Sequence, residues 1–481
     1  MVKVLFLQEI WFPYQGVMNL SASLKKAGHS TDIAIGKDAY LLEEIKRIKP
    51  EIVAFPITTS HRNFMLRIAR RIKEKKWPVL IVIGGYDCSF FPEMIEQNKD
   101  IDVLCRGEGN EALIELCNCL TGKKDHSRIQ NLWVRKGNKI IKNELAPFVD
   151  LNKRPFDDQE IYRKYRYFRD IEFVQVMVGR GCPYNCSYCF NHKYREMYFP
   201  VSKQYCSLRE PERVIEEILI LKNKYGYKNI FFNDSTLAYN QKWLSDFLNL
   251  YKEKIDLPFS INACANEVNE EFCRQISETN RCYLIRMGVE AGNENFRMKI
   301  LRKTQTSNQK LEHAAALLHK YNLKVSYQFM MGLPGETLEM VEETLVLLKK
   351  LSTKDTICAG NIFKPFPKLD ITEYGLSIGQ YDPKLIGGDL IGNKTLNFYD
   401  CFRKDEEGQK ILRLSRFCHF YIKFPFLRPF IKKILLKIPD NVGYRIIWKF
   451  SDIYFTNRHH INASYRYLLK YLTRYAFKTF R

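Results

Sequence analysis

Gly179-Arg180-Gly181-Cys182-Pro183-Tyr184-Asn185-Cys186-Ser187-Tyr188-Cys189-Phe190-Asn191 is the stretch on which the reading of this chain turns. Its three cysteines are spaced four and three apart in a loop rich in Gly, Pro and Asn, directly after an apolar run at 173–178 that reads as a strand. Thiolates so placed can converge on one metal centre. A cubane iron–sulfur cluster normally takes four cysteine ligands, so three leave one iron open to an outside ligand. Two other readings compete. A structural zinc site needs a fourth ligand, and His192 stands three residues past Cys189. A disulfide would leave one thiol over.

Outward from the loop, strand-like and helix-like stretches alternate over 171–367. Candidate strands are 173–178, 230–232, 259–263, 284–289, 325–331 and 359–363, with helices such as 211–224 and 310–320 between them. About six βα units predict a partial or complete βα barrel, which carries its active site at the carboxyl ends of its strands. Residues 1–122 alternate in the same way, with strands at 2–7, 52–56, 79–83 and 101–105 and helices at 18–26, 64–75 and 111–120. That is the pattern of an open α/β sheet, which binds ligands where its strand order reverses. Residues 123–170 are polar, contain a hairpin-like stretch at 131–141, and read as a linker. Residues 368–481 read as mostly helical and basic.

At 481 residues the chain is long enough for two or three domains, and its 46% hydrophobic and 27% charged composition is that of a globular protein. No uninterrupted apolar run reaches about eighteen residues, so no transmembrane helix is expected. The short apolar run at the start is broken by Gln8 and Glu9 and reads as a first strand, which makes a cytoplasmic location the expectation. Of fourteen cysteines, the eleven outside the cluster read as small buried hydrophobes. The net charge of +22 is uneven: 403–481 holds 18 Lys and Arg against 5 Asp and Glu. Such a tail suits nucleic acid, an anionic membrane surface or an acidic substrate.

CxxxCxxC with an aromatic before its last cysteine resembles the signature of the radical S-adenosylmethionine (SAM) superfamily. The resemblance implies a [4Fe–4S] cluster on Cys182, Cys186 and Cys189, its open iron chelated by SAM. Reduction by an external one-electron donor then cleaves SAM to a 5′-deoxyadenosyl radical, chemistry that belongs to the cofactors. Later stretches fit the family in order. Phe231-Phe232-Asn233-Asp234-Ser235 ends the second strand in polar groups, Gly288-Val289-Glu290-Ala291-Gly292 resembles the GxExG stretch, and Met330-Met331-Gly332-Leu333-Pro334-Gly335-Glu336-Thr337 resembles GLPGET. They imply SAM contacts from Tyr188, Asn233, Asp234, Glu290 and Gly332. Cys264-Ala265-Asn266 departs from the family, standing where relatives often have an Arg for the SAM carboxylate. Arg302 is a substitute cation or a solvated surface residue.

Gly16-Val17-Met18-Asn19-Leu20, Gly84-Gly85 and Arg106-Gly107-Glu108-Gly109 resemble the cobalamin-binding domain fused to many radical SAM enzymes. This implies a Rossmann-like domain over 1–122 with Gly16, Gly84, Gly85, Glu108 and Gly109 at the cofactor; Glu108 could instead cap the helix after it. The DxHxxG cobalt-ligand motif is absent, and the domain's histidines, His29 and His61, fall outside that pattern. The family implication is therefore an α/β protein: a cobalamin domain, a partial (βα)6 TIM-like barrel and a helical C-terminal region. Its expected activity is cobalamin-dependent methylation of an unactivated carbon. A radical SAM cyclase or rearrangement enzyme with a vestigial cobalamin domain is one alternative, and a zinc-stabilised binding protein is another. A small-molecule or lipid-linked substrate is expected. The basic, aromatic C-terminal region reads either as a helical cap on the barrel or as a peripheral membrane contact, and Tyr465-Arg466-Tyr467 is a weaker nucleic-acid signal.

Overall fold

The computed structural model describes residues 1–203, 205–383, 403, 405–452 and 454–455. Its first sheet runs in the order β2-β1-β3-β4-β5-β6-β7. The strands are β1 (Lys3–Gln8), β2 (Ser30–Ile35), β3 (Ile52–Pro56), β4 (Leu80–Gly84), β5 (Val103–Cys105), β6 (Leu132–Lys136) and β7 (Lys139–Lys142). The first five are parallel and the last two antiparallel. Val4 and Phe6 enter one core and Leu5 and Leu7 the other, so β1 is apolar along its length because helices cover both faces. The order reverses between β1 and β3, which opens a crevice at their carboxyl ends.

Two expectations shift here. The polar Ser30, Thr31 and Asp32 obscure β2 in the sequence, since only Ile33, Ala34 and Ile35 are buried. Residues 123–170, expected as a linker, are integral to the first domain. The hairpin β6–β7 extends its sheet, and Ile161, Tyr162 and Phe168 enter its core. The Tyr162 hydroxyl donates to Gln8 Oε1 at 2.8 Å and accepts the Tyr14 backbone N–H at 3.0 Å. Apolar residues set singly among charges read as a connector but point inward together.

The second domain holds β8 (Phe173–Val176), the short pair β9 (Gly179–Arg180) and β10 (Ser207–Leu208), then β11 (Asn229–Phe232), β12 (Phe259–Ala263), β13 (Cys282–Glu290), β14 (Val325–Met331) and β15 (Ile357–Ile362). The strands β8 and β11 to β15 form one parallel sheet in sequential order, the open six-unit barrel expected. Helices Gln241–Lys254, Glu270–Glu278, Asn308–Lys320 and Leu338–Leu351 start at Asn240, Asn269, Ser307 and Thr337, whose side chains accept a first-turn N–H. Thr337, the last residue of the GLPGET-like stretch, is therefore a cap. Helix Glu406–Lys423 buries one face against β14, β15 and Leu338–Leu351, closing the outside of that edge.

Candidate active site

The cysteine loop leaves β8 at the barrel mouth and is tied down from four directions. Asp234, after β11, accepts the backbone N–H groups of Val178 and Gly179 at 2.9 and 2.8 Å. Burial pushes its carboxyl up to about 6 against those two bonds. Ser187 donates its N–H to Leu301 O (3.0 Å) and its hydroxyl to Ile300 O (2.7 Å), and its own carbonyl accepts from Ile371. The Tyr184 hydroxyl donates to Glu267 Oε1 at 2.6 Å and accepts from Asn266 Nδ2 at 2.8 Å. Glu267 also takes the Cys264 N–H and the Thr236 hydroxyl, joining β11, β12 and the loop at one buried carboxylate. Gly181 turns the chain at φ +85°, where a Cβ would lie 2.8 Å from the Tyr205 ring.

Cys182, Cys186 and Cys189 lie within electrostatic reach of one another. Burial pushes the Cys182 thiol up to about 12, with a further push from Cys189, Cys186 and Cys206. The described cysteines are all free thiols, so no disulfide forms among them. His192, the fourth zinc ligand considered, is bonded through Nε2 to Asp370 Oδ2 at 3.1 Å and keeps its other ring nitrogen buried without a hydrogen-bond partner. Among the described residues no three His, Cys, Asp or Glu side chains gather tightly around one ion. Three neighbouring thiols on one loop fit instead the donor set of a cubane, whose irons are spread over several ångströms. Cys206 and Cys264, expected as scattered core residues, lie close enough to act electrostatically on this group.

Glu290 stands at a bulge in β13 with φ 67°. Its Oε1 lies 3.2 Å from Lys303 Nζ, and Gly288 makes room for the pair, since a Cβ there would come within 2.1 Å of Glu290 Oε1. Burial works against the Lys303 charge, but Glu290, Cys264 and Cys186 outweigh it and hold the ammonium above the ordinary lysine range. Arg302, the substitute cation considered from the sequence, turns outward to Asp370 at 2.6 Å. Lys303 was missed because nothing in Leu301-Arg302-Lys303 says which cation is inward. Tyr188 is near both Cys186 and Glu290. Asn233 reaches Gln175 at 3.2 Å on the exposed rim, and Gly332 gives its N–H to Glu336 Oε2 at 2.7 Å. Both oxygens of Asp234 are taken by the backbone, so this residue positions the loop.

In the first domain, Gly16 follows β1, and Gly84 and Gly85 end β4, so they flank the crevice. A Cβ on Gly16 would meet nothing within 4 Å, leaving bare backbone there as a planar cofactor requires. Gly109 is instead packed under Cys105, Leu113 and Leu20. Glu108 caps no helix; it is paired with Arg180 at 2.6 Å and with Arg154. His29 is structural, bonded to the Val2 N–H and Asn118. Beyond β4, Tyr86 meets Tyr194 (5.5 Å) and Phe90 stacks on Phe190 (5.2 Å), both from the helix Phe190–Tyr198 that follows Cys189. The crevice of the first sheet thus abuts the cysteine loop.

The model of the radical SAM superfamily matches residues 176–348 and that of the B12 binding domain residues 12–117. An uncharacterized methyltransferase of Pyrococcus horikoshii is 28% identical over 342 residues, 69% of this chain and 71% of that protein. An anaerobic magnesium-protoporphyrin IX monomethyl ester cyclase of Cereibacter sphaeroides is 26% identical over 356 residues, 69% of this chain but 56% of the relative. Among solved structures, the methyltransferase TsrM from Kitasatospora setae with cobalamin and a [4Fe-4S] cluster has a TM-score of 0.65 at 14% identity, covering 95% of this chain and all of that one. Residues 176–348 thus belong to the radical SAM superfamily, and a B12 binding domain precedes them at 12–117. The chain is an enzyme of that class, and SAM and B12 are the cofactors that its two matched regions imply.

Proposed function

We propose that this enzyme uses a [4Fe–4S] cluster held by Cys182, Cys186 and Cys189 to methylate an unactivated carbon of its substrate. The observation that carries the reading is the contact between the cobalamin-type crevice and the cluster loop. When bound, the cluster and SAM supply the radical and cobalamin supplies the methyl group; the chain's own residues orient them and keep water out. Glu290 and Lys303 offer an acceptor and a donor for the two ends of an amino acid. Tyr188 lies beside them, and the backbone around Gly332 and the rim at Asn233 complete the wall. Glu267 and Asp234 hold the loop from behind. The reductant is external, and the substrate is a small molecule or a lipid-linked one met at a membrane surface.

Anaerobic reconstitution with iron and sulfide tests the cluster. A broad visible absorbance is expected, and it should vanish in the Cys182→Ala/Cys186→Ala/Cys189→Ala variant. Zinc without iron in anaerobically purified protein would instead support the metal-stabilised binding protein. The cyclase relatives give the second reading a specific footing. Methyl-labelled SAM separates the two: label in the product means methylation, and an unlabelled cyclised product means the other.

A further inference from the structure

The segment after helix Glu406–Lys423 folds with one apolar side inward and another left bare. Ile431, Leu436 and Tyr444 are buried in the core that includes that helix, while Phe430, Ile434 and Ile438 face out. Phe426 and Phe450 are 76% and 71% exposed, and they share this one segment with the other bare groups. Ring contacts run without a break from Phe426 to Phe424 (6.0 Å), Phe420 (6.3 Å), Phe455 (6.1 Å) and Tyr454 (5.0 Å). Between the bare rings stand cations: Lys433 and Lys437 are exposed, and 423–449 contains seven Lys and Arg against the single acid Asp440.

The chain that follows, 456–481, adds six Lys and Arg and no acid, with Arg466, Lys470, Arg474 and Lys478 spaced by four among Tyr and Leu. That charge has the same sign as the patch, so both favour an anionic partner, and a second copy of the same basic face is disfavoured. Nucleic acid would satisfy the cations but not the bare isoleucines. An interface of large apolar groups ringed by lysine and arginine suits the headgroup boundary of a bilayer with anionic lipid. No described helix is long and apolar enough to cross a membrane, so the contact would lie on its surface.

We propose that this C-terminal face docks the enzyme on an anionic phospholipid bilayer. The proposal deepens the functional reading by naming where the substrate is met, and it rests on that reading only for the substrate. The test is co-sedimentation of full-length protein with phosphatidylglycerol-containing and pure phosphatidylcholine vesicles. Binding should require phosphatidylglycerol and weaken when salt is raised about fivefold. It should drop at least about tenfold in Phe426→Ser/Phe450→Ser and in Lys433→Glu/Lys437→Glu, which change exposed groups only. Thermal unfolding and cluster-dependent SAM cleavage off the membrane should match wild type, so failure here is distinct from failure of the chemistry. The proposal is overturned by absent binding, by equal binding to neutral vesicles, by variants that bind as wild type, or by a dimer that the Phe variants dissolve.

Discussion

Glu108 and Arg180 tie the two domains together at the point where their chemistry has to meet. Glu108 follows β5 of the first domain, and Arg180 stands two residues before Cys182; Glu108 Oε1 accepts from Arg180 Nε at 2.6 Å. Arg180 also donates to the Val149 carbonyl at 2.9 Å and lies over the Phe148 ring. The pair is largely buried, with 11% and 17% of the side chains exposed.

Removing Arg180 leaves Glu108 with Arg154 as its remaining cation. Arg180→Leu should therefore destabilise the protein by about 1–2 kcal/mol, the worth of its charge-assisted hydrogen bonds. Because the lost link lies between domains, calorimetry should show the single unfolding transition broadening or splitting. A uniform downward shift with unchanged shape would mean that Glu108 is not an interdomain tie.

Lys303 is the inward cation at the barrel mouth, and Arg302 is not. Lys303→Met should weaken SAM binding by about tenfold to a hundredfold, the worth of a charge-assisted hydrogen bond. Equilibrium dialysis on cluster-loaded protein reads this directly, and cluster absorbance reports that the loop is intact. Arg302→Met should leave SAM affinity within about twofold of wild type. Equal losses in both variants would remove the distinction drawn between them.

The cysteine spacing, the strand rhythm and the glycine-rich strand ends were enough to read both domains, because backbone turns and metal ligands demand particular residue types locally. What stayed hidden depends on side chains that meet only in three dimensions. Glu267 is an ordinary acid in sequence, yet it gathers Tyr184, Thr236 and Cys264. Asp234 stands at the expected strand end, and its two bonds to the Val178 and Gly179 N–H groups are a positioning role that no local pattern announces. Glu108 likewise pairs with a residue 72 positions away, which no local pattern could announce.

Gly16 offers a clean test of the crevice. Its Cβ position is open to 4 Å, and it stands in the first turn of helix Gln15–Lys26, so Gly16→Leu should cost the apo-protein little and even favour the helix. The added side chain would project into the crevice. Cobalamin affinity, followed by the absorbance of the bound corrin, should fall at least about tenfold while the thermal midpoint stays put. Unchanged affinity would move the cofactor away from the carboxyl end of β1.

Glu336 makes the stability of the barrel depend on pH. Burial pushes its carboxyl from 4.5 up to about 8, against the N–H groups of Leu333 and Gly332 and the charge of Arg403. Arg403 turns its guanidinium to the carbonyls of Leu333 and Glu336 and to Asp405, so it neutralises the carboxylate only in part. The folded state therefore holds this proton more tightly than the unfolded chain. Its contribution is full below about pH 4.5 and is lost as pH rises toward 8. Glu336→Gln cannot release a proton, so its thermal midpoint should decline less than that of wild type across this window. Parallel midpoint-against-pH curves for the two proteins would show that Glu336 is already ionised in the fold.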